Sequence, residues 1–139
     1  MLTDESQDKK KTHVLIVEDD SFISLFLEKK LTELGYGAKV AASTAQALEA
    51  LAAAPVDLIL LDIILPDENG FTLLERLKKN PAYQDIPVVI LSNLGQQSEI
   101  DRGKQLGAVD FLVKGNYSPA EIVERITAIL KQTGKAKHV

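Results

Sequence analysis

The sequence of 139 residues contains no cysteine, which excludes disulfides, thiolate metal sites and thiol catalysis. No apolar run approaches the ~20 residues that a transmembrane helix needs, and the polar start, "MLTDESQDKKKT", is not a signal peptide. There is no excess of positive charge for binding nucleic acid, because the net charge is -4 and the pI is about 5.2. These absences predict a soluble, cytoplasmic protein without a membrane or nucleic-acid partner.

The composition that remains is typical of a globular domain, with 45% hydrophobic and 26% charged residues. A chain of this length can bury a substantial core within one domain. We predict a domain over residues 13–131 between two disordered tails, 1–12 and the basic 132–139. On this interpretation no residues remain for a second, output domain.

Short apolar segments alternate along the chain with stretches of helical spacing. Segments that are apolar on both faces and alternate with helices are typical of a parallel sheet covered on both sides. The pattern predicts an α/β fold with a doubly wound, five-stranded parallel sheet and five helices. The expected strands lie at 13–17, 38–42, 57–61, 88–91 and 111–113.

Some helices can be predicted in more detail. Ser43 and Gln46 have the spacing of a capping box at the start of the second helix. The helix near 98–106 is expected to be the weakest, because Gly103 lies inside it and few of its residues are apolar. The first helix is expected to pack through an apolar face made of Phe22, Phe26, Leu27, Leu31 and Leu34.

Polar side chains follow four of the five predicted strands. Ligands of doubly wound sheets bind beyond the carboxyl ends of the strands, so residues at these positions are expected to meet at one edge. They are Glu18 and Asp19 after the first strand, Asp62 after the third, Ser92 after the fourth and Lys114 after the fifth. The sequence therefore predicts a site with Asp62 in its middle.

The charges of this group indicate its chemistry. Three neighbouring carboxylates repel one another unless a cation lies among them. Oxygen ligands without histidine or cysteine suit a hard ion, and Mg²⁺ commonly takes one or two carboxylates, water and phosphate oxygens. The charges of three carboxylates, one Mg²⁺ and Lys114 cancel, which leaves room for an incoming phosphoryl group. A carboxylate can itself act as the nucleophile and form an aspartyl phosphate.

Four motifs, in order and at this spacing, make the sequence resemble the receiver domains of two-component response regulators. They are "VEDD" after the first strand, "LLDIILPDENG" around the third, "LSN" after the fourth and "FLVK" at the fifth. The resemblance covers about residues 12–132. It implies the flavodoxin-like strand order 2-1-3-4-5 and a phosphoacceptor rather than an enzyme.

The resemblance also implies how the acidic residues act. Asp62 would take a phosphoryl group from a phosphohistidine on a sensor histidine kinase or a phosphotransfer protein. Asp19 would bind Mg²⁺, or Mn²⁺ in its place, directly, and Glu18 would bind it through water. Asp62 and the backbone carbonyl of Ile64 would be further ligands of the metal.

Three more residues receive roles from the resemblance. Lys114 would bind the phosphoryl group, Ser92 would be the switch hydroxyl and Phe111 the switch aromatic. The sequence departs from the usual family pattern at three positions without losing a required group: Ile64, Asn93 and Gly115.

The signal is expected to leave through a surface that phosphorylation reshapes. The predicted surface for a downstream protein target combines 98–106, 111–113 and 119–131, whereas the helix at 44–53 is expected to stay unchanged. Three alternatives stay open: an interaction module independent of phosphorylation, the receiver fragment of a hybrid histidine kinase, and an aspartate-nucleophile phosphatase. Such phosphatases typically need an acid two residues after the nucleophile, where this chain has Ile64.

Overall fold

The computed structural model describes residues 11–134, which form one five-stranded sheet with helices on both faces. All four strand pairings are parallel, and the strand order is β2-β1-β3-β4-β5. This confirms the predicted doubly wound fold and its order. The strands are β1 (His13–Val17), β2 (Gly37–Ala41), β3 (Leu58–Leu61), β4 (Val88–Ser92) and β5 (Asp110–Val113).

Five α-helices connect and follow these strands, as predicted. The chain enters a short 3₁₀ turn, Lys114–Asn116, directly after β5. No helix within residues 11–134 is long and apolar enough to span a membrane. The helices are α1 (Ser21–Glu33), α2 (Thr44–Ala53), α3 (Gly70–Lys78), α4 (Gln97–Gln105) and α5 (Pro119–Gln132).

Alternating side chains of the sheet divide the core into two layers, as the period of two along a strand requires. On one face, Leu15 and Ile59 pack with residues of α2 and α3 such as Ala47 and Leu74. On the other face, the side chains of β1 and β3 pack against α1 and α5. The three central strands β1, β3 and β4 are buried along almost their whole length, which explains why their segments are continuously apolar.

The predicted apolar face of α1 is wrong in part. Leu27 and Leu31 are fully buried, but Phe22 is 86% exposed, Phe26 38% and Leu34 47%. At 3.6 residues per turn, Phe22 lies about 140° around the helix from Leu27, and Phe26 lies about 100° from it. The helix therefore buries the side that carries Ser24, Leu27 and Leu31, and it leaves both phenylalanines on its outer side.

The helix starts follow the sequence more closely. Ser43 caps α2 by accepting a hydrogen bond from the Gln46 N–H, but the Gln46 side chain reaches the Ala42 N–H, one residue before the cap. The two tails fall mostly outside the described residues, at 1–10 and 135–139, so their disorder stays a prediction. The innermost residues of the two predicted tails are ordered: Thr12 is buried, and Gln132 is the last residue of α5.

Candidate functional site

The register of the sheet brings the predicted site residues to one edge. Val17 of β1 pairs with Leu61 of β3, so Glu18 and Asp62, the next residues, leave the sheet side by side. The Asp62 N–H donates to the Val17 carbonyl at 2.9 Å. On the other side, Ser92 pairs with Val113 at the end of β5, which places Lys114 one residue further along the same edge.

Lys114 joins the two buried carboxylates of this edge. Its Nζ lies 2.7 Å from Glu18 Oε1 and 3.1 Å from Asp62 Oδ2. The side chains of all three residues are largely shielded from water, so their charges are weakly screened. One ammonium thus faces two carboxylates, and the exposed Asp19 adds a third negative charge beside them.

Burial sets the protonation of this cluster in the metal-free protein. It raises the pKa of Glu18 to about 7, against the ion pair with Lys114 and the hydrogen bond from the Asp20 N–H, while the charge of Asp62 raises it further. Burial alone would lower the pKa of Lys114, but its contacts with Glu18 and Asp62 outweigh this and raise the pKa above its usual value. Lys114 is therefore a permanent cation at neutral pH.

The geometry of the carboxylates fits a metal ion. Glu18, Asp19 and Asp62 each offer an oxygen within 4.8 Å of the others. Glu18 Oε1 is buried, and within residues 11–134 no donor reaches it with hydrogen-bond geometry, although Lys114 Nζ is close. An all-oxygen set of closely spaced carboxylates is suited to a hard divalent cation such as Mg²⁺.

The loop after Asp62 turns back tightly on the site. The Ile64 N–H donates to Asp62 Oδ1 at 3.2 Å, and Ile64 forms an isolated antiparallel bridge with Asn69. Asn69 caps α3 by accepting from the Phe71 N–H. Gly70 lies against the Asp62 carbonyl, and a Cβ at this position would be 2.8 Å from the Ile63 Cα. Only glycine fits there, so the start of α3 packs directly on the site backbone.

Both predicted switch residues are buried. Ser92 is fully buried at the end of β4, and its Oγ accepts a hydrogen bond from the Leu94 N–H at 3.3 Å. Phe111 is 7% exposed and packs in the core layer beneath α4. A Cβ at Gly103 of α4 would be 3.0 Å from the Phe111 ring, so the missing side chain lets α4 approach this aromatic.

Sequence reasoning missed the role of the two acids at the tip of the β3–α3 loop, which had the pattern of a solvated turn. Asp67 accepts three hydrogen bonds from the start of α2, and Glu68 pairs with Arg76 of α3 at 3.0 Å. The first of these contacts joins positions more than twenty residues apart, and no local spacing in the sequence signals it.

A parallel sheet of this order, with its polar residues beyond the carboxyl ends of the strands, defines the flavodoxin-like class of α/β proteins. Within that class, residues 14–127 match the family described as the response regulator receiver domain. The chain belongs to this family, the receiver domains of two-component systems. This confirms the resemblance inferred from the four motifs.

Individual relatives agree with the assignment. The protein named "Probable transcriptional regulator ycf27" of Cyanidium caldarium is 34% identical over 139 residues, which are 99% of this chain and 54% of that protein. The phosphate regulon transcriptional regulatory protein PhoB of Pseudomonas aeruginosa is 36% identical over 121 residues, 87% of this chain and 52% of its own length. The chain thus spans about half the length of these curated relatives.

Solved structures lead to the same family. The receiver domain of the Francisella response regulator 1452 superposes on this chain with a TM-score of 0.79 at 31% sequence identity. The superposition covers 88% of this chain and 99% of the Francisella chain. The two curated relatives above are named as a transcriptional regulator and a transcriptional regulatory protein. The absence of a nucleic-acid partner therefore stays a prediction, and it concerns only these 139 residues.

Proposed function

We propose that Asp62 accepts a phosphoryl group from a phosphohistidine, with Mg²⁺ bound beside it. The observation that carries this proposal is the Lys114 ammonium, which lies between Glu18 Oε1 at 2.7 Å and Asp62 Oδ2 at 3.1 Å. A buried nucleophilic carboxylate beside one fixed cation and two further acids is the arrangement that phosphoryl transfer to aspartate needs. Receiver domains are phosphoacceptors, and the proposed reaction is the one that the family performs.

In the proposed reaction, an oxygen of Asp62 attacks phosphorus as the bond from phosphorus to the imidazole nitrogen breaks. The electron pair of that bond stays with the leaving imidazole. Lys114 is already in contact with Asp62, and it can stabilise the charge that gathers on the phosphoryl oxygens without a large rearrangement. The Ile64 N–H holds Asp62 Oδ1 and so leaves the other oxygen toward Lys114.

Asp19, Glu18, Asp62 and the Ile64 carbonyl would hold the metal. When bound, Mg²⁺ neutralises excess negative charge and polarises the phosphoryl oxygens. Without the metal, Lys114 pairs with both Glu18 and Asp62, and burial raises the pKa of Glu18 to about 7 despite this ion pair. Ser92, buried at the end of β4, is proposed to hydrogen-bond the phosphoryl group once it is present.

The exposed apolar side chains of α1 support a protein as the phosphoryl donor. Phe22, Leu25 and Phe26 lie on the outer side of a helix that begins two residues after Asp19. A donor that brings its phosphohistidine to Asp62 must cover this edge of the sheet, so its surface meets the apolar patch. We propose a cytoplasmic sensor kinase or phosphotransfer protein in this position. The output surface is proposed to be α4, β5 and α5.

Incubation with acetyl phosphate and Mg²⁺, followed by intact-protein mass spectrometry, tests this function. The wild type should gain one phosphoryl group, and Asp62→Asn should gain none while staying folded. Glu49→Gln, which changes an exposed acid of α2, is the matched control and should label like the wild type. Labelling of Asp62→Asn at the wild-type level would exclude Asp62 as the acceptor.

The same experiment separates the remaining functions. A wild type that takes no phosphoryl group in Mg²⁺ is the result expected of an interaction module independent of phosphorylation. Steady release of phosphate from the donor without an accumulating adduct is expected of a phosphatase. EDTA should abolish labelling of the wild type, and equal labelling in EDTA would contradict the assigned metal.

A further inference from the structure

The tip of the loop that follows Asp62 is fastened to a helix distant in sequence. Asp67 Oδ1 accepts a hydrogen bond from the Thr44 N–H at 3.0 Å. Asp67 Oδ2 accepts two more, from Thr44 Oγ1 at 2.8 Å and from the Ala45 N–H at 3.1 Å. These two N–H groups belong to the first turn of α2 and have no partner within the helix. Asp67 therefore caps α2 from another part of the chain.

The contact is well defined at both ends. Thr44 is only 3% exposed, so its hydroxyl and N–H depend on Asp67 rather than on water. The base of the same loop is closed by the bridge between Ile64 and Asn69. The loop is thus held at its base by its own backbone and at its tip by α2.

Ile64 forms one half of the attachment at the base, and its backbone faces the site. Its N–H donates to Asp62 Oδ1 at 3.2 Å, and its carbonyl is a proposed ligand of the metal. The Ile64 side chain is 57% exposed, so packing of that side chain contributes little to the position of the backbone. The attachment of the loop must supply most of that order.

We propose that Asp67 is a positioning residue for phosphorylation: by tying the 63–69 loop to α2, it keeps the Ile64 backbone aligned with Asp62 and the metal. The proposal rests on the proposed function. Asp67 is not one of the three carboxylates that group at the site, so it acts through the loop and not on the reacting atoms.

A consequence follows for α2. Because coupling between two sites is reciprocal, Mg²⁺ binding should shift the amide resonances of Thr44 and Ala45. The sequence predicts that the helix at 44–53 stays unchanged on phosphorylation, since it lies far from Ser92 in this topology. Because Asp67 bonds to Thr44 and Ala45, we expect that unchanged part of the helix to begin only after Ala45.

Three variants test the role of Asp67. Asp67→Ala removes all three hydrogen bonds. Asp67→Asn keeps an oxygen for the Thr44 N–H and an amide that can donate to Thr44 Oγ1, and it loses only the bond from the Ala45 N–H. Ser43→Ala is the matched control, because Ser43 caps the same turn of α2 through the Gln46 N–H without touching the loop. It should weaken α2 and leave the loop in place.

Two readouts are needed, one of them in metal-free protein. In EDTA, amide hydrogen exchange at Ile64 should become about fivefold faster in Asp67→Ala and stay near the wild-type rate in Ser43→Ala. Mg²⁺ titration followed by amide resonances should show affinity about fivefold weaker or more in Asp67→Ala, as for other residues that orient metal ligands. Asp67→Asn should restore most of the wild-type exchange protection at Ile64 and most of the Mg²⁺ affinity.

Wild-type exchange and affinity in Asp67→Ala would overturn the proposal, as would equal losses in Ser43→Ala, since both would make Asp67 a helix cap only. Equal losses in Asp67→Asn and Asp67→Ala would also overturn it, because the hydrogen bonds to Thr44 that Asp67→Asn keeps would then contribute nothing to the order of the loop. If the wild type itself binds no Mg²⁺, the proposed function fails. If the wild type binds Mg²⁺ and takes a phosphoryl group but Asp67→Ala matches it, only the present inference fails.

Discussion

Lys114 Nζ lies 2.7 Å from Glu18 Oε1, and this ion pair crosses the site from the end of β5 to the end of β1. The same ammonium contacts Asp62, so one cation balances two carboxylates that burial would otherwise destabilise. The metal-free protein therefore depends on Lys114 for a charge balance that Mg²⁺ is proposed to complete.

Lys114→Met should destabilise the metal-free protein by about 2 kcal/mol at pH 7, because it leaves Glu18 and Asp62 buried without a counter-charge. Glu18 can take up a proton, which limits the loss of stability. Lys114→Arg, which keeps the charge, should lose much less. Urea unfolding in EDTA measures both variants, and added Mg²⁺ should stabilise Lys114→Met more than the wild type. Wild-type stability of Lys114→Met in EDTA would contradict the charge balance.

Gly70→Ala should destabilise the protein by about 2 kcal/mol and slow its phosphorylation, because the new Cβ meets the backbone of Asp62 and Ile63. Helix propensity alone would favour alanine here, at the first residue of α3. Gly115→Ala is the control, since a Cβ there meets nothing within 4 Å, and it should change stability by less than about 0.5 kcal/mol. Urea unfolding and acetyl phosphate labelling together check the pair; equal effects would contradict the close approach.

The site could be predicted from the sequence to the extent that sheet geometry places it. In a parallel sheet the residues after each strand meet at one edge, so Glu18, Asp62 and Lys114 had to be neighbours once the strands were recognised. The fold followed from the same segments, because their apolar residues are continuous and their lengths suit strands. The sequence pattern therefore predicts those site residues whose positions are fixed by the strands.

Two features could not be predicted, the buried face of α1 and the contact of Asp67 with α2, because they depend on tertiary packing that a sequence pattern does not specify. The α1 segment, "SFISLFLEKKL", is apolar on several sides, so spacing alone cannot decide between a face with Phe22 and a face with Ser24. The contact between Asp67 and Thr44 depends on the shape of a loop and on where α2 begins in space. Both are tertiary properties, and both lie at the borders of the site.

The hydrogen bonds to Asp67 predict a pH dependence. The Thr44 N–H, with the Thr44 hydroxyl and the Ala45 N–H, holds the pKa of Asp67 below its usual 3.8. A depressed folded-state pKa stabilises the folded protein above the unfolded value, and this contribution is lost as pH falls through the folded pKa. The stability difference between the wild type and Asp67→Asn should therefore be constant above about pH 5 and shrink toward pH 3.

Urea unfolding at steps between pH 6 and pH 3 measures this difference. Glu49→Gln changes an exposed acid of α2, the helix that Asp67 caps, and serves as the control for general charge effects. A difference between the wild type and Asp67→Asn that grows as pH falls would contradict the assigned sign. A difference that stays constant to pH 3 would show that these hydrogen bonds do not lower the pKa of Asp67.

The apolar patch of α1 predicts a variant that separates protein donors from small ones. Phe22→Ser should change stability by less than about 0.5 kcal/mol, because the side chain is 86% exposed. It should slow phosphoryl transfer from a phosphohistidine-bearing protein that phosphorylates the wild type, and leave labelling by acetyl phosphate unchanged. Leu34→Ser, exposed just beyond the other end of α1, is the control. Unchanged transfer from the protein donor would exclude the patch as its docking surface.

The weak attachment of α4 predicts where phosphorylation is felt. Gly103 is its only buried residue, and the helix rests on Ile90 and Phe111 through that position. Phe111 follows Asp110 in β5, whose register with β4 places Ser92 opposite Val113. We therefore expect that a phosphoryl group that draws the Ser92 hydroxyl from its bond with Leu94 also affects the strand pair on which α4 packs.

A shift of this kind needs only a few kcal/mol of differential interaction, which a charge-assisted hydrogen bond can supply. Beyond the site itself, the largest changes in amide chemical shift or hydrogen exchange on phosphorylation are expected at 92–117. Residues 46–53 of α2 should change little, although Thr44 and Ala45 report on the loop. Asp62→Asn in acetyl phosphate is the control for effects of the reagent. Changes concentrated in 46–53 with α4 unaffected would show that α4, β5 and α5 are not the output surface.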